Sequence, residues 1–157
     1  MSTETTKRIV REHYDRFNAR DLDGLAALCA EDLVNHAAIP QAQGRAGMRS
    51  ILEKLWRAFP DQKMTVDDII AEGDKVVCRV TVTGTHTGKL DFVKLQLPPT
   101  GKPFKTTSIH IFRIADGRIV ERWAERDDLG MLQQLGLMPE RLQPKAAADV
   151  SAAGGAS

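Results

Sequence analysis

The chain has 157 residues, 42% hydrophobic and 27% charged, a balance that fits one globular domain with a real hydrophobic core. Its 22 basic and 21 acidic residues leave a net charge of +1, so no basic excess marks it as a binder of nucleic acid or of an anionic membrane. The two cysteines, Cys29 and Cys78, have no metal-type spacing and read as free buried thiols of a reducing cytoplasm. No apolar run is long enough to span a bilayer, so a cytoplasmic protein without a membrane partner is expected.

The first helix is expected over Glu4 to Ala19. Ile9, Val10, His13, Tyr14 and Phe17 recur at three- and four-residue spacing and make one apolar stripe, with Thr3 or Thr5 as the cap. Asp21 or Asp23 starts a second helix through Leu25, Leu28 and Cys29, which Glu31-Asp32 ends. Leu33 to His36 then reads as a short extended segment. A third helix follows Gly44 and Gly47, runs through Met48, Ile51, Leu52, Leu55 and Trp56, and stops before Phe59-Pro60.

The period then changes from helical to alternating. Met64, Val66, Asp68 and Ile70 alternate, Gly73-Asp74 makes a turn, and a long strand runs from Val76 to Gly84. Val76, Cys78, Val80 and Val82 take one face of it and Val77, Arg79, Thr81 and Thr83 the other. Helices first and strands second indicate an α+β class, with helices on one face of an antiparallel sheet. Between Thr85 and Phe104, the run PPTGKP makes a rigid turn, and Leu90 to Leu97 either pairs at an edge or forms a flap. Domain boundaries follow at 1–140, with a tail over 141–157 that is poor in bulky apolar residues and expected to be disordered.

The richest stretch is SIHIFRIADGRIVERWAERDDLGMLQQLG, a strand, an Asp-Gly turn, a second strand and a short helix. His110 shares a strand face with Ser108 and Phe112, while Ile109 and Ile111 take the other. A buried neutral histidine must satisfy both ring nitrogens, in a core or against a ligand. Two hairpin registers are open. A two-residue turn at Asp116-Gly117 sets His110 opposite Trp123. A three-residue loop with a bulge sets it opposite Arg122, with Val120 and Ala124 on its face and Trp123 and Glu125 turned away.

Other polar residues have two readings each. Asn35 offers a donor and an acceptor to a ligand, or makes an Asx turn beside His36. Asp127 is a base at the pocket mouth, or the cap of the last helix. Arg122 meets an anionic ligand or enolate, or pairs with Asp127 or Glu31. The four histidines form no i, i+4 pair and no carboxylate cluster surrounds them, so no metal site is expected.

DLVNHAA after two helices, GRAGMRSILEKLWRAFPD, GTHTG, PPTGKPF and the SIHIFRIADGRIVERW…DDLGMLQQLG ending together resemble the SnoaL-like polyketide cyclases and related ester cyclases, from about Thr6 to Gly136. The resemblance implies a cone-shaped fold of the nuclear-transport-factor-two-like superfamily: a curved antiparallel sheet on about three N-terminal helices, enclosing an apolar pocket. It also implies intramolecular aldol chemistry without metal or cofactor, and a homo-oligomer, dimer or tetramer. Asn35 matches the family's pocket asparagine and His110 its pocket histidine. Ser108 stands at a glutamine position, and Ala124 stands where the family has its catalytic aspartate. A positioned base contributes ~10²–10⁴-fold, and alanine cannot accept a proton. The candidate site is therefore His110 and Asp127 as catalytic groups, with Asn35, His36, Ser108, Phe112, Arg122 and Trp56 against a small hydrophobic ligand. A non-catalytic ligand-binding protein is the alternative.

Overall fold

Ser2 starts the first helix. Its extended backbone and its Oγ, which accepts from Thr5 N at 3.2 Å, make it the N-cap of α1, Thr3–Asn18, in place of the expected Thr3 or Thr5. The computed structural model describes residues 1–92, 95–139 and 141. Apart from residue 141, the tail expected over 141–157 lies outside the described residues. The α1 stripe buries Ile9, Val10, Tyr14 and Phe17 against the sheet.

Asp21 caps α2, Leu22–Ala27, by accepting from Gly24 N at 2.8 Å. This helix ends before the expected Leu28 and Cys29. The reason is tertiary: Ile119 N–H donates to Leu28 O at 2.8 Å, and Cys29 opens a strand, β1, Cys29–Asn35, that takes in the Glu31-Asp32 read as a helix end. Helix α3, Gly44–Ala58, matches the expected third helix and buries Met48 and Leu52.

Strands β2, Lys63–Glu72, and β3, Lys75–Thr85, turn at Gly73-Asp74 as expected, and β3 buries Val76, Cys78, Val80 and Val82. Strand β4, Leu90–Phe92, pairs antiparallel with β5, Leu95–Leu97, so the segment read as an edge or flap forms its own two-stranded ribbon. The PPTGKP turn is tied back through Gly101 N to His86 O at 2.8 Å and His86 N to Lys102 O at 3.0 Å. Strands β6, Pro103–Ala115, and β7, Arg118–Arg126, complete the main sheet, in the order β1-β7-β6-β3-β2. Helix α4, Asp128–Gln134, follows.

The sheet is mixed rather than wholly antiparallel, because β1 runs parallel to β7. No hairpin joins these two strands, so the chain is free to return in either direction. Bulges interrupt β2 between Val66 and Asp68 and β7 opposite Arg113–Ile114, and such insertions increase local twist. Among the described residues, no helix is long and apolar enough to cross a membrane.

The hairpin resolves the two registers by combining them. Asp116 and Gly117, with φ of 49° and 73°, form the two-residue turn that keeps Ala115 opposite Arg118 and Ile114 opposite Ile119. Val120 is then an extra, unpaired residue, and Arg113 meets Glu121. His110 consequently faces Ala124, not Trp123 or Arg122, and Phe112 faces Arg122. The face assignment of the bulged alternative holds: Arg122 and Ala124 lie on the His110 side, with Trp123 and Glu125 on the other.

Candidate functional site

His110 projects from the middle of β6 onto the inner face of the sheet and is 2% exposed. Its neighbours on that face are Ser108 and Phe112 along the strand, and Ala124 across it. Cys78 pairs with it from β3. The Tyr14 hydroxyl, delivered by the buried stripe of α1, lies 2.7 Å from His110 Nδ1, and the two rings stack at 6.0 Å with planes 14° apart. Phe112 meets both rings edge-on at 6.1 Å. Helix, central strand and aromatic neighbour therefore fix the imidazole together. Among the described residues, no group hydrogen-bonds its Nε2.

Burial lowers the His110 pKa well below the ordinary imidazole value, and Arg122, His13 and Arg126 push it the same way. His110 is thus neutral at neutral pH. Burial raises the Tyr14 pKa, with Cys78 adding to the shift, so the phenol keeps its proton. Which His110 nitrogen carries hydrogen depends on the direction of the Tyr14 bond. If Tyr14 accepts from Nδ1–H and turns its own O–H toward Cys78, Nε2 presents a lone pair. In the opposite arrangement Nε2–H is a donor.

Polar groups without partners among the described residues gather around this pair. Ser108, 5% exposed, has a sealed Oγ that no described residue hydrogen-bonds, and the same holds for His13 Nδ1. His13 rests on the Tyr14 and Phe112 rings at 5.4 and 5.2 Å, and burial followed by Arg122 lowers its pKa to about 3. Buried polar atoms are rarely left this way. Asn35, 5% exposed at the end of β1, makes the Asx turn, its Oδ1 accepting from Ala37 N at 3.2 Å. The same oxygen accepts from Arg122 Nη1 at 3.3 Å. Gln43 fixes the Asn35 backbone through Asn35 N to Gln43 Oε1 at 2.8 Å and Gln43 Nε2 to Asn35 O at 2.9 Å.

The structure thus brings Asn35, Ser108, His110, Phe112 and Arg122 together. It does not bring His36 and Asp127 with them. His36, 43% exposed, stacks on Trp123 at 4.8 Å, and its Nε2 lies 2.7 Å from Glu121 Oε1 on the outer face. One residue past inward-facing Asn35, it is carried outward by strand alternation. Asp127 caps α4 and accepts from Gly130 N at 2.8 Å, in an exposed position. Arg122 pairs with neither Asp127 nor Glu31: among the described residues, no carboxylate lies within salt-bridge distance of it. Trp56 sits on the Phe17 ring at 5.4 Å with the Arg20 guanidinium 5.2 Å away, and its sealed Nε1 has no partner among the described residues. No described His, Cys, Asp and Glu side chains form a group of three or more that could hold a metal.

Tyr14 is the residue of the candidate site that sequence reading missed. It was one of five members of an apolar stripe, yet a phenol on a buried stripe needs a hydrogen-bond partner. That requirement was the available signal.

The SnoaL-like polyketide cyclase family matches residues 7–135 of this chain. The aklanonic acid methyl ester cyclase DnrD of Streptomyces peucetius is 28% identical over 140 residues, 87% of this chain and 92% of that protein. The aklanonic acid methyl ester cyclase DauD of Streptomyces sp. (strain C5) is 27% identical over 132 residues, 82% and 80% of the two chains. Among solved structures, TsrD from Streptomyces laurentii superposes with a TM-score of 0.77 at 27% identity, covering 88% of this chain and 99% of that one. IdmH from Streptomyces antibioticus, a candidate polyketide cyclase, gives 0.71 at 35% identity, with 83% and 98% covered. The curved sheet on helices, the inward His110 and Asn35, and a family match over most of the chain agree: this chain belongs to the SnoaL-like polyketide cyclase family.

Proposed function

We propose that the inner face of the cone binds a hydrophobic, polyketide-like carbonyl compound, and that His110 acts on it as a cofactor-independent enolising base in a cyclase or isomerase. The observation that carries this reading is the Tyr14–His110 pair: a buried imidazole held through Nδ1, with no described residue occupying Nε2. The Nε2 lone pair takes a proton from carbon next to the carbonyl. Nδ1–H stays bonded to Tyr14, and the enolate oxygen faces the positive side chain of Arg122. The lowered His110 pKa restricts the reaction to acidic C–H groups, such as those between two carbonyls. The aklanonic acid methyl ester cyclases among the relatives suggest an aromatic polyketide as the compound class.

A second reading is binding without turnover. The residue opposite His110 is Ala124, and no carboxylate is bonded to His110 among the described residues. Deuterium exchange at the α-carbon of an aromatic β-keto methyl ester separates the two. The enzymatic reading expects exchange by the natural protein, its loss in His110→Ala, and faster exchange in Ala124→Asp. Exchange only in Ala124→Asp favours binding without turnover, and no exchange in either protein defeats the cyclase reading.

We also place a second copy of the chain against the outer sheet face. A cleft of about 290 Å³ lies there between Lys75, Ile109, Ile111, Trp123, Ala124 and Glu125. Sedimentation of the natural protein and of Ile109→Lys tests it. A dimer or tetramer dissociated by Ile109→Lys is expected, and a monomer in both contradicts it.

A further inference from the structure

The inner face carries positive charge that nothing described there neutralises. Arg122 is half-buried, and among the described residues its side chain hydrogen-bonds only Asn35 Oδ1, a neutral acceptor, at 3.3 Å. A guanidinium has five donors and does not lose its charge in proteins. Taking it out of water without an anion is unfavourable, so buried charges are normally paired. The other arginines with ion pairs on this sheet follow that rule: Arg79 bonds Asp68 at 2.6 Å, Arg113 bonds Glu121 at 2.6 Å, and Arg126 bonds Asp128 at 3.2 Å. Arg122 alone among these has no carboxylate.

The surroundings favour an anion from outside. Arg122, Ala124 and Arg126 face Phe112, His110 and Ser108 in turn across the hairpin. Ala124, between Arg122 and Arg126 along β7, places no acidic side chain opposite the imidazole. Ser108 adds a hydroxyl that is sealed, more than nine-tenths buried and without a partner among the described residues. A hydroxyl can donate to an anionic oxygen, whereas an acidic side chain at position 124 would bring negative charge to this face.

Resting on the reading of the inner face as a ligand site, we infer that Arg122 and Ser108 bind a carboxylate group of the ligand, so that this chain takes the free acid of its hydrophobic carbonyl compound in preference to the methyl ester. The guanidinium supplies charge and two parallel donors, and Asn35 holds it in place through Oδ1.

The test is calorimetric titration with two probes of one shape, anthraquinone-2-carboxylate and its methyl ester. The natural protein should bind the acid at least tenfold more tightly than the ester. Arg122→Gln should abolish that preference by weakening the acid about tenfold more than the ester. Arg122→Lys should keep part of the preference. Arg79→Gln, which removes one positive charge from the outer face, should keep all of it. Equal affinity for acid and ester, binding of neither, or equal losses in Arg122→Gln and Arg79→Gln overturn the inference. The ester failing to bind while an Arg122-dependent acid affinity persists defeats the hydrophobic carbonyl reading and leaves the anion site standing.

Discussion

The two faces of the β6–β7 hairpin are built from neighbouring residues and treat polar groups in opposite ways. On the outer face, Glu121 accepts from Arg113 at 2.6 Å and pairs with His36 at 2.7 Å, and His36 lies flat on Trp123. These charges are satisfied within the protein, and burial there is partial. On the inner face, Ser108 Oγ and His13 Nδ1 have no partner, His110 uses one nitrogen, and Arg122 has no counter-ion among the described residues. Outer-face polar groups complete one another, whereas inner-face groups are held in position and left incomplete.

Substitutions can break this comparison, and the largest effect concerns packing. Phe112 is fully buried and touches His13, Tyr14 and His110. Phe112→Ala should destabilise the fold by about 3–5 kcal/mol in urea unfolding. A cost under about 1 kcal/mol would mean that the inner face is not packed as described. Next, His110→Ala should weaken binding of a neutral aromatic ester by ~1–3 kcal/mol in calorimetry, the range for a lost buried hydrogen bond. Unchanged affinity would return His110 to the core.

Acid sharpens the contrast further. His13 and His110 both have folded-state pKa values below their ordinary value, so the unfolded chain takes up protons first as pH falls. Above about pH 6.5 they cost nothing. Below it each lowers stability by up to ~1.4 kcal/mol per pH unit, and for His13 the loss stops growing near its folded value, about 3. Denaturant unfolding between pH 7 and pH 5 should show this slope, reduced in His110→Asn. A flat profile would contradict their burial as neutral groups. The smallest effect belongs to the outer face. Glu121→Gln should leave the urea-unfolding midpoint and the ligand affinity nearly unchanged, because ion pairs near the surface add little to stability.

Much of this was legible in the chain, for physical reasons. The alternation of Val76, Cys78, Val80 and Val82 set the inner face of β3, because one side of a sheet packed on helices must be apolar. Asp116-Gly117 gave the turn, since both positions need positive φ. What escaped were features decided at a distance. The bulge at Val120, which puts Ala124 across from His110, has no local residue signature. The parallel β1–β7 pairing ended α2 early and made Cys29 a strand residue. Tyr14 meets His110 across 96 positions, a contact that helical spacing alone cannot reveal. His36 sits beside Asn35 in sequence but on the opposite face, and only the strand assignment of β1 separates them.

The most direct test of the two-face account is nitrogen-15 spectroscopy of the histidine rings during titration with anthraquinone-2-carboxylic acid methyl ester. The account predicts that the Nε2 resonance of His110, assigned by its loss in His110→Ala, shifts with saturation while both His36 nitrogens stay in place. Movement of the His36 resonances with His110 unchanged would put the ligand on the outer face and contradict it.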